Sequence, residues 1–524
     1  MKKVFKKSIS IFLVLSILLS VLVTGVYAAD SKPENTLAEI ELDKDIPIVE
    51  IFGFGEAVYK NLDTETEEDD QNIFSVSGEQ ITTLLKDHLF NVLISMLLGR
   101  DEELSDSLSE ILGSIFGDVA CDENGVIKPG TGIKTPSSEI VKRDEYGYDN
   151  AYLFFYDWRL DMHTISDLLH EYILELMEVT GSDQVALVGF SMGTCVLTTY
   201  LYEHYYTQPV EERDYIHSVI YLSGAINGVA CCEDPFSSNI NFDSESLIRM
   251  IKDLMASNPS LSFLYTMIEL MYSFGMFEPI VDFSNKFVEE RLNAVVNEAM
   301  LSTIATIPSF YAMMSNERYV QAETNIFNTP EKREKFATLL EKNHYYQDTV
   351  KPELDNIIEM LMEDGKNFAI ISAYGKTMIP PVTKDNSRLS DKVITTEKTS
   401  FGATCAPYGT TFSEDYVQAE PCACNKNHIS PDRQIDASTC SYADVTWFAK
   451  DISHTSDAVY FAELVDTITY SEEPITVWTY EELPQYLINI DDTCLVPMNE
   501  DNAGEVVPFD ETTLIGSLKK KIFG

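Results

Sequence analysis

The chain has 524 residues, 45% hydrophobic and 23% charged, a composition that excludes a disordered or collagen-like protein and can fill a sizeable core. Its 37 basic and 85 acidic residues leave a formal net charge of -48, which repels nucleic-acid phosphates and anionic membrane surfaces alike. Nucleic acid is therefore excluded as a partner.

Residues 1–29 open with Lys2, Lys3, Lys6 and Lys7, continue as an apolar run from Ile9 to Val26, and end in Val26-Tyr27-Ala28-Ala29. That is the layout of a secretory signal peptide. The run is also long enough to span a bilayer, so an uncleaved membrane anchor is the alternative. A secreted protein is expected, and its oxidising surroundings permit disulfides. The nine cysteines are an odd number, so at least one stays unpaired within the monomer; Cys422, Cys424 and Cys440 are the expected bridge participants. The same cysteines with His428 make a poor zinc site, because C-x-C spacing does not suit a tetrahedral ion. No metal or organic cofactor is expected.

In chain order, a strand is expected from Ile46 to Ile51, running into Phe52-Gly53-Phe54-Gly55. An acidic loop from Asp63 to Asp70 precedes two amphipathic helices between Gly78 and Phe116. Strands at Tyr152–Tyr156, Gln184–Phe190 and Ser218–Ser223 alternate with helices at Ile165–Met177 and Met192–Tyr205. Such alternation predicts an α/β fold whose mostly parallel sheet is covered by helices on both faces. The block from Phe242 to Gly365 reads as helical throughout, after which strands resume at Phe368–Ala373 and Thr446–Ile452 and a last helix covers Asp457–Ile468. The expected organisation is signal peptide 1–29, core 30–241, helical cap 242–365, core 366–472 and an acidic C-terminal extension 473–524.

Gly189-Phe190-Ser191-Met192-Gly193 is a G-x-S-x-G sequence with a strand before it and a helix after it. This context builds a strained turn that exposes a serine hydroxyl. Such a hydroxyl needs a base within hydrogen-bond reach and a carboxylate to fix the base's tautomer, in the chain order Ser, Asp, His. His454 follows the last strand and is the expected base, with His428 the competitor. Asp391 is the expected acid; Asp385 is its main rival, Asp436 and Asp444 weaker ones. The amide of Met192, next to the nucleophile, and that of Phe54, on the loop after the first strand, are the expected oxyanion donors.

Tyr156-Asp157-Trp158-Arg159, about thirty residues before the serine, together with Ile307-Pro308-Ser309 in the helical block and Ser390-Asp391 before Val393-Ile394, resembles the lecithin:cholesterol acyltransferase family. Phe190 stands where that family usually has histidine, and Lys392 where it has glycine. The resemblance implies an α/β-hydrolase with a large helical cap insertion that transfers acyl groups from lipid-like esters to water or to another hydroxyl. It also implies that Asp157, Trp158 and Arg159 lie near the acyl pocket, as substrate-binding residues; an internal Asp157–Arg159 ion pair that only orders the strand end is the alternative. Apolar stripes in the cap (Leu247, Met250, Ile251, Leu254 and Met255, then Met267, Leu270, Met271 and Phe274) suit closure over an acyl chain. The expected partner is a lipid or other apolar ester, met through transient contact with lipid interfaces. A binding protein on a hydrolase scaffold with a degenerate site is the non-enzymatic alternative.

Overall fold

The computed structural model describes residues 45–506 apart from 56, 61–70, 75–99, 144–147, 247, 249–268, 277, 379–387, 422–423, 455–457 and 491–493. The N-terminal leader, the acidic loop, the first of the two amphipathic helices after Gly78, Asp385, Cys422, the whole first apolar stripe of the cap and Met267 of the second lie outside the described residues. No helix among the described residues is long and apolar enough to cross a membrane.

The first strand, β1 (Ile48–Ile51), is followed by a small antiparallel sheet of β2 (Val58–Lys60), β3 (Gln71–Phe74) and β4 (Thr131–Gly132). Then come β5 (Val141–Lys142), β6 (Ala151–Phe154), β7 (Val185–Phe190), β8 (Ile216–Leu222) and β9 (Asn367–Tyr374). A two-stranded pair, β10 (Thr404–Cys405) and β11 (Ile435–Asp436), precedes β12 (Thr446–Lys450), β13 (Tyr486–Ile490) and β14 (Cys494–Pro497). Nine of these form one sheet in the order β14-β13-β12-β9-β8-β7-β1-β6-β5. It is parallel from β6 to β13 and closed at each edge by an antiparallel strand. Every residue of β7 and β9 is buried, which is why β7 and the Phe368–Ile371 stretch of β9 are continuous apolar runs rather than alternating ones.

The principal helices are α1 (Asp101–Phe116), α2 (Met162–Thr180), α3 (Gly193–Leu201), α4 (Ala230–Phe236), α5 (Asn293–Leu301), α6 (Pro308–Ala312), α7 (Asn316–Ile326), α8 (Leu354–Glu363) and α9 (Ala458–Tyr470). Local chemistry sets their ends. Asp161 caps α2 by accepting the Thr164 amide, and Gly181 at φ +71° ends it in the left-handed turn that glycine allows. The described segment between β8 and β9 is helical, and α5, α6 and α7 pack onto α1, α4 and the carboxyl end of the sheet.

Two features differ from expectation. Residues beyond 472 are not simply an acidic extension: β13 and β14 complete the sheet, and Lys450 Nζ at the end of β12 donates to the Ala503 carbonyl at 2.6 Å. Short strands set among charged residues carry too little periodicity to stand out. Cys440 is a free, buried thiol in a secondary core with Tyr374, Phe448 and Tyr486, whereas Cys424 is disulfide-bonded.

Candidate active site

Ser191 stands at the turn between β7 and α3 with φ +52°, a left-handed conformation that costs a non-glycine residue on the order of 1 kcal/mol or more and needs support. The support is visible. The Ser191 amide donates to Leu222 O at 3.1 Å, while its carbonyl accepts from the Thr194 and Ala225 amides and from Thr194 Oγ1. The flanking glycines allow the close packing. A Cβ on Gly189 would lie 3.1 Å from Gly193 O, and one on Gly193 would lie 2.2 Å from Ile51 O and 2.6 Å from Phe52 O. Strand, helix and the loop after β1 can meet at this point only because both residues lack side chains.

The structure brings the three separated residues together. His454 Nε2 is 2.9 Å from Ser191 Oγ, and His454 Nδ1 is 2.7 Å from Asp391 Oδ2. Asp391 is wholly buried, and its other oxygen accepts the Val393 amide at 3.0 Å and the Ile394 amide at 2.8 Å. The loop carrying it follows β9, and the loop carrying His454 follows β12, the next strand in the sheet. Phe190 packs its ring 4.8 Å from that of His454, so the residue that stands where the resembled family usually has histidine lies against the expected base.

The competitors are engaged elsewhere. His428 is fully buried, its Nδ1 2.8 Å from Gln485 Oε1 and its Nε2 3.2 Å from Cys424 Sγ. Cys424, His428 and Asp444 are close enough together to suggest a metal site, but a disulfide sulfur is not the thiolate such a site requires. Asp436 accepts from Tyr416, Ala419 and Ser438, and Asp444 from Trp478 Nε1.

Phe54 lies on the loop leaving β1. Gly53 before it touches Ser191, since a Cβ there would be 2.8 Å from Ser191 Cβ. Among the described residues no acceptor takes the Met192 or Phe54 amide. The Phe54 ring is fixed by Trp158 at 4.5 Å, Phe310 at 5.4 Å and Phe74 at 5.7 Å. Asp157, Trp158 and Arg159 are buried. Arg159 forms a two-point ion pair with Asp157, at 2.9 Å and 2.6 Å, and donates to Thr131 Oγ1 at 3.1 Å. In this arrangement the Asp–Arg pair orders the strand end beneath Trp158, which supports Phe54.

An apolar cavity of about 20 Å³ lies beyond Phe310, lined by Phe116 of α1, Cys231, Cys232 and Phe236 of α4, and Met300 of α5. It has room for about one water. An acyl chain entering there would have to part the cap helices from α4.

The topology, with a serine at the strand-to-helix turn beside the sheet centre, defines an α/β-hydrolase fold. The family model for lecithin:cholesterol acyltransferase matches residues 140–385, so over that span the chain is similar to this family. The match takes in Tyr156–Arg159, Ser191 and the Pro308-Ser309 segment, while Asp391 and His454 lie beyond it. No curated protein sequence matches the chain. The family resemblance supports acyl-transferring or ester-hydrolysing chemistry on lipids in general terms.

Two contributors carry no signal of their role in the sequence. Phe310 reaches the Phe54 ring from the cap, a contact across more than 250 residues that no local pattern encodes. Tyr156, although quoted in the Tyr-Asp-Trp-Arg segment, has a hydroxyl whose target emerges only from the fold.

Proposed function

We propose that the chain is a secreted serine esterase or lipase that cleaves lipid-like carboxylic esters through an acyl-Ser191 intermediate. The observation carrying this reading is the continuous hydrogen-bonded line from Ser191 Oγ through both nitrogens of His454 to buried Asp391. His454 Nε2 takes the serine proton as Oγ attacks the ester carbonyl, and Asp391 holds the ring in the tautomer that leaves Nε2 free to accept. The Met192 and Phe54 amides receive the oxyanion at the amino end of α3, whose dipole favours negative charge. Collapse of the tetrahedral intermediate returns the proton to the leaving alcohol, and water repeats the sequence to release the acid.

Labelling with a serine-directed fluorophosphonate tests this directly. Wild type should label at Ser191, Ser191→Ala should not, and hydrolysis of p-nitrophenyl esters of graded chain length should fall in the variant by roughly 10⁶-fold. A folded protein that does not label would favour the binding-protein reading instead.

A second reading, an O-acyltransferase that passes the acyl group to an alcohol, is favoured by the family match over residues 140–385. It uses the same residues and differs in the acceptor. Product analysis with and without a sterol or lysolipid separates the two.

A further inference from the structure

Tyr156 is buried, stacks its ring on Phe154 at 5.5 Å, and donates its hydroxyl to the Phe52 carbonyl at 2.5 Å. Phe52 begins the loop whose Phe54 amide is the second oxyanion donor in the function proposed above. That loop has little stiffness of its own, because Gly53 and Gly55 flank Phe54 and Gly55 sits at φ +125°. An oxyanion donor contributes only if it is already aimed when charge develops, so something outside the loop must hold it.

Four contacts do so, one of them the Phe52 ring against that of Phe155 at 5.8 Å. The Phe52 carbonyl lies between the Tyr156 hydroxyl and the amino end of α3, where Gly193 leaves space for it. Gly53 rests against Ser191, and the Phe54 ring is boxed by Trp158, Phe74 and Phe310. Of these, the Tyr156 hydrogen bond alone fixes the direction of a peptide plane. With the Phe52 carbonyl held, the Phe52–Gly53 peptide cannot flip, and the next peptide, which carries the Phe54 N–H, keeps its aim. We propose that Tyr156 is a positioning residue for the oxyanion hole: it acts through Phe52, touches no reacting atom, and is required for full transition-state stabilisation. The inference rests on the serine-hydrolase reading.

The test compares wild type with Tyr156→Phe, which removes one oxygen and keeps the stacked ring. Steady-state hydrolysis of p-nitrophenyl butyrate is measured alongside inhibition by an alkyl trifluoromethyl ketone. When the ketone binds, Ser191 Oγ bonds to the carbonyl carbon, the serine proton passes to His454, and the carbonyl π pair becomes an oxyanion in the hole. The expected result is a fall in kcat of roughly 10- to 100-fold, somewhat less than deletion of a donor causes. KM should stay within about twofold, and the ketone Ki should rise by the same factor as kcat falls. Fluorophosphonate titration counts active sites, so kcat refers to folded molecules even if the variant folds in lower yield. Unchanged kcat and Ki with a lowered melting temperature would mean that Tyr156 only satisfies a buried carbonyl, and the proposal would be overturned. Failure of wild type to label would sink the hydrolase reading itself, a separate outcome.

Discussion

Asp391 holds His454 twice: its carboxylate takes the ring Nδ1 at 2.7 Å, and its backbone carbonyl takes the His454 amide at 2.6 Å. The loops after β9 and β12 are thus joined by main chain as well as side chain, and the imidazole's position does not depend on the carboxylate alone.

Asp391→Asn should therefore keep the loop geometry and lose the tautomer control. Ester hydrolysis should fall on the order of 10⁴-fold with the melting temperature nearly unchanged. Turnover curves and thermal unfolding on one preparation check both halves; a large drop in melting temperature would mean that the carboxylate is chiefly structural.

Lys392, directly after Asp391, sits at φ +90°, where the resembled family has glycine. Such a backbone costs a side-chain-bearing residue about 1–3 kcal/mol, against about 0.5–1 kcal/mol for the extra freedom glycine brings to the unfolded chain. Lys392→Gly should raise the unfolding midpoint by about 1–3 °C and leave kcat unaltered. Differential scanning calorimetry decides it.

Glycines 53 and 193 should tolerate alanine very differently. A Cβ at Gly193 would stand 2.2 Å from the Ile51 carbonyl, a backbone atom that cannot move without parting α3 from β1, so Gly193→Ala should yield little soluble protein. At Gly53 the nearest atom is Ser191 Cβ at 2.8 Å. Gly53→Ala should fold, lift the loop, and lower kcat by roughly 10²-fold or more.

Asp234 on α4 gives a pH signature. Burial raises its carboxyl pKa to about 7, with the neighbouring Glu233 charge adding to the effect and Asn239, Arg318 and Lys398 opposing it. A folded pKa above the unfolded value means that the native state keeps a proton which the unfolded chain releases between about pH 4 and 7. The stabilisation from Asp234 is therefore complete below about pH 4 and is lost as pH rises through 7. Asp234→Asn should match wild type in melting temperature near pH 4.5 and exceed it at pH 8. Melting curves across that range test the sign, and a gap that narrows with rising pH would contradict it.

Much of the site was legible because its parts sit at element ends, where apolar periodicity stops. The run Val185–Val188 ahead of Ser191 and the strand ahead of His454 are buried on both faces, so their sequences announce strands, and chain order then points to Asp391. What escaped depends on contacts distant in sequence. Phe310 and Tyr156 are an ordinary apolar residue and an ordinary tyrosine until the fold sets them against Phe54 and Phe52. Tyr486–Ile490 and Cys494–Pro497 are too short and too close to acidic residues to stand out as strands. Cys440 looked like a bridge partner by proximity to other cysteines, but burial beside Tyr374 and Tyr486 keeps it a small core residue.

The edge strands β13 and β14 also set the order in which the molecule becomes competent during synthesis. Ser191 and the centre of the sheet leave the ribosome first, His454 follows 263 residues behind the serine, and the two strands that shelter β12 come later still. A nascent or truncated chain ending before them would carry Ser191 without its base and bare the flank of β12 for pairing with other chains. The proposed acylation chemistry is thereby withheld until β12 and the loop after it have emerged.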